Sequence, residues 1–168
     1  MFMKKLLYII ILLILCSLHI HGESSRFSIY QSQSYVPYSN INDMLEDSSG
    51  SWWIATENEL IKFNGYDYVQ YQQNKDISNS LPNNNCRTLI EDSQNRLWIG
   101  TDNGIAIYNR ENDGFDRIKL SGLTSYNFVG IQEDSDGSLW ALSFQELIKL
   151  SPEGELQQIY SYPNAVCM

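Results

Sequence analysis

Histidine is nearly absent from this sequence. Only His19 and His21 occur, both beside an apolar N-terminal stretch, so loss of that stretch as a leader leaves no histidine at all. Such a chain cannot hold a Ser-His-Asp or Cys-His nucleophile, a histidine-ligated zinc or a phosphate-accepting histidine. Basic residues are scarce too: 11 Lys and Arg stand against 20 Asp and Glu, with no basic run beyond the first five positions. Phosphate backbones need clustered cations, so nucleic acid is excluded as a partner. Of three cysteines, only Cys86 and Cys167 lie beyond the apolar stretch, and Cys167 is the second-last residue, so free thiols are expected. No second apolar run of membrane-spanning length follows, which excludes a return crossing to the cytosol. What is present is apolar and aromatic content, 43% and 12% of 168 residues, with 18% charged and a net charge of −9. That is the composition of a folded chain, not a disordered one, with room for one ordinary domain.

The N-terminal stretch, MFMKKLLYIIILLILCSLHIHG, has Lys4 and Lys5 ahead of an apolar run from Leu6 to Leu18 and ends on the small residue Gly22. This is the layout of a signal peptide over residues 1–22, with cleavage near Gly22 and export of the remainder. An uncleaved anchor fits less well, because a span needs about 18–20 apolar residues. Cys16 as a lipid-carrying residue also fits poorly, since bulky Leu15 precedes it.

The organising feature of the rest is an internal repeat. Glu46-Asp47-Ser48, Glu91-Asp92-Ser93 and Glu133-Asp134-Ser135 lie 45 and then 42 residues apart. Six residues after each Asp comes a tryptophan: Trp53, Trp98 and Trp140. The similarity continues through WWIATENELIKFN, LWIGTDNGIAIYN and LWALSFQELIKLS, aligning Thr56, Thr101 and Ser143 and then Leu60, Ile105 and Leu147. Each unit reads as four short strands; in the second these are Thr88 to Glu91, Leu97 to Thr101, Ile105 to Tyr108 and Phe115 to Lys119. In Asp47-Ser48-Ser49-Gly50 the carboxylate can accept turn amides and Gly tolerates positive φ, a pattern repeated at Asp134–Gly137 and, with Asn95 in the Gly position, at Asp92–Asn95. Four-stranded units of this length, with a tryptophan in the second strand, are propeller blades. The expected fold is all-β, a partial β-propeller, with blade 1 at 38–71, blade 2 at 83–120 and blade 3 at 125–160. Ala55 and Gly100 suit close packing between blades, whereas Leu142 departs from that pattern.

Glu91 to Gly104, EDSQNRLWIGTDNG, resembles the two-component regulator propeller repeat, as do Phe63-Asn64-Gly65-Tyr66-Asp67-Tyr68 and the following Asn79-Ser80-Leu81-Pro82-Asn83-Asn84. The resemblance runs from about Arg26 to Tyr160. It implies a periplasmic sensor region of a hybrid two-component system protein of Bacteroidetes, of the kind that often detects glycans. It further implies a strand at 26–36, around Phe27 to Gln31, that closes the ring by completing the last blade. Such receptors carry two seven-bladed propellers, an immunoglobulin-like domain, a transmembrane helix, a histidine kinase, a receiver and a DNA-binding domain. Against that pattern this chain reads as a truncated product or fragment with no kinase, since three blades fall short of the roughly four to eight that close a ring. Its unclosed flank predicts either the remaining blades or a self-association partner.

Ligand contacts in a propeller are expected on the turns between second and third strands and on the connections between blades. The candidates are Glu57, Asn58, Asp102, Asn103 and Gln145, with Glu59, Gly104, Phe144 and Glu146 beside them and the connections Gln72 to Asn85 and Ser121 to Ser125 alongside. An oligosaccharide or another small polar ligand would use such amides and carboxylates. Asp47, Trp53, Asp92, Trp98, Asp134 and Trp140 recur in every unit and are read as structural, with Trp52 also assigned to the core. Asp134-Ser135-Asp136-Gly137 opens like a calcium loop but lacks the later ligands, so no metal is expected. No cofactor or catalytic residue is predicted. The alternatives are an exported interaction module, or a propeller enzyme cleaving carbohydrate with two carboxylates.

Overall fold

The computed structural model describes residues 40–162 of the chain. The expected leader (1–22) and closing strand (26–36) lie outside the described residues. Within them are twelve strands and, among the described residues, no helix long and apolar enough to cross a membrane. β1 (Ile41–Glu46), β2 (Trp52–Thr56), β3 (Leu60–Phe63) and β4 (Tyr68–Tyr71) form one antiparallel sheet in chain order. β5 (Cys86–Glu91), β6 (Leu97–Thr101), β7 (Gly104–Asn109) and β8 (Gly114–Arg117) form a second. β9 (Phe128–Glu133), β10 (Leu139–Ser143), β11 (Glu146–Leu150) and β12 (Leu156–Ser161) form a third. The second sheet starts two residues earlier than periodicity suggests, at Cys86, and its last strand ends at Arg117; the Ile118 amide still donates to the Ile105 carbonyl at 2.9 Å, and its side chain packs against the cluster between the second and third sheets.

The first turn of each sheet follows from its Asp. Asp47 accepts the Gly50 amide on its carbonyl at 2.8 Å, and its carboxylate takes the Ser49 and Ser51 amides at 2.9 and 3.0 Å. Gly50, Asn95 and Gly137 hold φ of 79°, 60° and 80° at the same turn position, the left-handed backbone that Gly and Asn tolerate best.

The first strand of every sheet carries the same bulge. Pairing jumps from Ile41↔Thr56 to Asp43↔Ala55, from Cys86↔Thr101 to Thr88↔Gly100, and from Phe128↔Ser143 to Gly130↔Leu142. Asn42, Arg87 and Val129 are the extra residues, and a bulge redirects such a side chain out of the ladder.

Side chains alternate across each strand, so each sheet offers one face to the sheet before it and the other to the sheet after. Trp53, Ala55 and Leu60 meet Leu89, Leu97, Ile99 and Tyr108 in one buried cluster. Trp98 and Ile105 meet Ile131, Leu139, Ala141 and Ile148 in the next. Each fully buried large side chain here is worth roughly 1.5–3 kcal/mol. Trp52 corrects the sequence reading: it is 40% exposed and is not core. Its counterparts Leu97 and Leu139 are buried because a sheet stands before theirs, and among the described residues none stands before Trp52.

The repeated tripeptide joins neighbouring sheets. The Ser48 amide and hydroxyl donate to Glu91 at 2.7 and 2.8 Å, and the Ser93 amide and hydroxyl donate to Glu133 at 2.8 and 2.7 Å. Each Glu therefore serves the sheet before it and each Ser the sheet after. Gly100 leaves room for the third sheet to approach: a Cβ there would lie 2.6 Å from Thr88 Cγ2 in its own sheet and 3.1 Å from the Phe128 carbonyl oxygen of β9.

Candidate functional site

The turns joining second to third strands sit at the end of the sheets where β1, β5 and β9 begin. The Glu57 amide donates to the Asn40 carbonyl at 3.2 Å, and the Asp102 amide to the Asn85 carbonyl at 3.1 Å. Asp102 is the centre of a polar cluster at this end. Its carboxylate accepts Arg87 Nε, Arg87 Nη2 at 3.2 Å and Asn85 Nδ2 at 2.7 Å. Asn85 Oδ1 in turn accepts Asn42 Nδ2 at 3.0 Å, and that same amide reaches the Cys86 carbonyl at 2.7 Å. The Arg87 guanidinium lies 5.5 Å from the ring centre of Phe144, a cation–π distance, and Phe144 is 44% exposed. Thus β1, the second sheet and the β10–β11 turn each supply part of one patch.

Its charges are settled by these contacts. Burial works to raise the Asp102 pKa, and hydrogen bonds from Arg87, Asn127 and Asn85 outweigh it, holding the carboxyl below the ordinary range. Arg87 is held more firmly protonated by the same carboxylate, with Glu57 adding a smaller attraction. An ionised, already paired Asp102 fits a fixed hydrogen-bond acceptor, and a general base must instead be free to take a proton.

The other sequence-predicted residues are distributed differently. Glu57 and Asn58 are exposed, and the Asn58 carbonyl accepts Gln72 Nε2 at 3.5 Å. Asn103 is exposed and lines, with Gly104, Pro82, Arg117 and Tyr126, a recess of about 210 Å³ formed by the second sheet and its flanking connections. Gln145 is exposed and its carbonyl accepts the Tyr162 amide at 3.0 Å. Glu146 is buried; its carboxylate holds the preceding connection in place, accepting the Thr124 and Ser125 amides at 2.8 and 3.1 Å. Glu59 is buried as well. The long connection from Gln72 to Asn85 folds over β8, where the Phe115 amide donates to the Asn79 carbonyl at 2.7 Å, and it borders a groove of about 490 Å³ with Tyr71, Asn74 and Asp113. Asn42 and Arg87 are the members that sequence reasoning missed, whereas Asn85 ends the connection from Gln72 that it placed beside the candidates. The available signal was Arg87 itself, a cation at a repeat position occupied by Asn42 and Val129 in the other units.

The recurring Asp and Trp residues lie at the opposite end. Trp53, Trp98 and Trp140 donate their indole N–H to Asp47, Asp92 and Asp134 at 2.9, 2.7 and 3.1 Å. Burial acts to raise Asp47 and Asp92, but hydrogen bonds outweigh it and hold both carboxyls below the usual range: Ser49, the Trp53 indole, Ser51 and Arg110 around Asp47, and the Trp98 indole and Arg96 around Asp92. Unfolded aspartates titrate near ~3.9, so on acidification the unfolded chain binds protons first and stability falls from about pH 5 downward. Glu59 has the opposite sign, because burial raises its pKa and the folded state then binds the proton more tightly. The melting temperature is therefore expected to drop steeply between about pH 5 and 3, with Asp92→Asn lowering the neutral-pH value and flattening the acid limb. A melting curve unchanged down to that acid end would contradict the assigned charges.

Three four-stranded sheets stacked face to face, each opening on the same Asp–Trp pair, define blades of a β-propeller. Residues 35–58 and 80–103 match the family described as the two component regulator propeller. The extracellular domain of the hybrid two-component system BT3049 from B. thetaiotaomicron matches with 22% identity and a TM-score of 0.65, over 73% of this chain and 18% of that one. The extracellular domain of the hybrid two-component system BT4673 from the same organism matches with 23% identity and a TM-score of 0.64, over 77% and 20%. Virginiamycin B lyase from Staphylococcus aureus shares the fold at 17% identity and a TM-score of 0.60, over 75% and 42%. The chain thus spans about a fifth of the length of the two extracellular domains. No curated protein sequence matches it.

Proposed function

We propose that this chain is part of an exported, periplasmic sensor propeller that binds a small polar ligand, an oligosaccharide foremost, and performs no catalysis itself. The observation that carries the reading is the patch where three blades meet: Arg87 braced by Asp102, with amides of Asn42 and Asn85 on one side and the exposed ring of Phe144 on the other. Sugars are bound by such a combination, with planar polar groups fixing hydroxyls and an aromatic face meeting the apolar side of the ring. Export is supported by the leader pattern at residues 1–22 and by the extracellular origin of the receptor domains it resembles. Sensing is favoured over the chemistry of the lyase neighbour because both histidines lie in the leader and Asp102 and Glu146 are committed to Arg87 and to Thr124–Ser125.

The test is thermal unfolding of the full chain against neutral oligosaccharides. At ten times Kd a single site adds about 1.4 kcal/mol, a rise of roughly 3–6 °C. Phe144→Ala and Arg87→Ala are each expected to abolish that rise. If no oligosaccharide shifts the transition, the glycan reading fails; if one does but neither variant alters it, the site is elsewhere.

A further inference from the structure

The recess beside the turn between β6 and β7 holds an arginine that no carboxylate among the described residues neutralises. Arg87 pairs with Asp102, Arg96 with Asp92, and Arg110 with Asp47 and Glu91. Arg117 has no such partner, although the chain carries 20 acidic residues against 11 basic ones. Its guanidinium is fixed by neutral groups instead. Nε donates to the Ser80 carbonyl at 3.0 Å, and Nη2 donates to the Ser80 hydroxyl at 2.9 Å and to the Leu81 carbonyl at 3.0 Å. Those bonds engage Nε and Nη2, and the donors on Nη1 are left without an acceptor among the described residues.

The rest of the recess suits a ligand for that charge. The Asn103 side-chain amide and the Tyr126 hydroxyl line it and make no hydrogen bond among the described residues. Pro82, Ile105, Ile118 and Leu120 supply apolar walls. The walls are held before any ligand arrives. The Gly104 amide donates to the Tyr126 carbonyl at 2.9 Å and the Ile118 amide to the Ile105 carbonyl at 2.9 Å, while Arg117 anchors the connection that carries Pro82. A fixed guanidinium recognises a planar anion at little ordering cost. One guanidinium balances one negative charge, so a carboxylate fits. A phosphate monoester, with a charge of about −1.5 to −2, would stay under-compensated in a chain of net charge −9. At about 210 Å³ the recess is smaller than the roughly 300–1,000 Å³ of drug-sized sites, so it takes a small acid or one acidic unit of a larger molecule.

We propose that this recess is a carboxylate-binding site, in which Arg117 Nη1 donates to the carboxylate of a small organic acid or sugar acid and Asn103 and Tyr126 meet its other polar atoms. The turn between β6 and β7 serves two places, with Asp102 in the Arg87 patch and Asn103 in the recess. The recess needs nothing from that patch, so its carboxylate binding stands or falls separately from the oligosaccharide reading.

The experiment is a heteronuclear NMR titration of the full chain with isovalerate and with galacturonate, each beside its neutral counterpart, isovaleramide or galactose. At least one acid should shift the Asn103 side-chain and Arg117 Nε signals with a Kd of about 1 mM, and its neutral counterpart should bind about tenfold more weakly or worse. Saturation by isovalerate alone identifies an organic acid as the source of the carboxylate, and saturation by galacturonate alone a sugar acid. Arg117→Gln should weaken binding about tenfold or more, whereas Lys119→Ala, which removes an exposed neighbouring cation outside the recess, should leave it unchanged. Because Arg117 also anchors Ser80 and Leu81, Asn103→Ala is the second variant; that side chain braces nothing, and its loss should weaken binding about threefold. No shift with either acid up to about 50 mM overturns the proposal. So does equal affinity for acid and neutral counterpart, a loss in Lys119→Ala as large as in Arg117→Gln, or binding unchanged in both Arg117→Gln and Asn103→Ala.

Discussion

Trp98→Ala is expected to lower the unfolding free energy by about 4 kcal/mol, the upper part of the range for deleting a large buried side chain. Three losses coincide at this residue. The indole is fully buried between the second and third sheets, so its removal leaves a cavity. Its N–H bond to Asp92 at 2.7 Å disappears, leaving that buried carboxylate to Arg96 and turn amides. The backbone of Gly154 already approaches so closely that a Cβ there would lie 3.2 Å from the ring, and this fitted contact is lost too. Trp140→Ala is the control, because it removes the same residue at the same repeat position on a half-exposed face. It should cost less than about 2 kcal/mol, since solvent already reaches the site and no closed cavity forms. Urea unfolding with a comparison of midpoints at constant slope measures both. Equal losses for the two variants would show that the pair of sheets flanking Trp98 does not decide its contribution.

Gly100→Ala is expected to destabilise by about 2–3 kcal/mol, an overpacking cost at a site with nowhere to relax. A single methyl would sit 2.6 Å from Thr88 Cγ2 and 3.1 Å from the carbonyl oxygen of Phe128. The Thr side chain could rotate, but the carbonyl belongs to β9 and moves only with that strand. The whole junction would have to widen, loosening Phe128 and Leu139. Gly130→Ala makes the contrast: the nearest atom to its Cβ is Leu142 Cβ at 4.0 Å, ordinary contact, and Ala suits a strand better than Gly. That variant should be neutral within about 0.5 kcal/mol or slightly stabilising. Chemical unfolding of the two side by side distinguishes a close approach of sheets from a general intolerance of alanine in strands.

Much of the fold was legible because it repeats. Three copies of Glu-Asp-Ser followed by tryptophan gave the unit, its turn and its second strand, and the turn glycines follow from the left-handed backbone they hold. The candidate patch was legible only in part. The turn residue Asp102 stands out beside Gly104, but Arg87 and Asn42 sit inside a strand pattern where periodicity hides them. What makes them available is a bulge, and a bulge is a property of pairing between strands. Glu59 and Glu146 show the reverse. As turn carboxylates they read as ligand candidates, yet both are buried, and Glu146 is spent on the amides of Thr124 and Ser125.

The sequence alone determined the local chemistry of each blade: which residues turn, which extend, and that each Asp has a tryptophan six residues on. These are short-range facts, set by spacing and by the hydrogen-bonding capacity of single side chains. Only the tertiary structure decided what each repeated residue faces. Trp53, Trp98 and Trp140 occupy one position, and two are buried while the third is half-exposed, because burial is conferred by the next sheet. In the same way Ser48 and Ser93 find a Glu some 40 residues on, and Ser135 turns back to its own Asp. A repeat describes the unit, and the contacts between units depend on which neighbours are there.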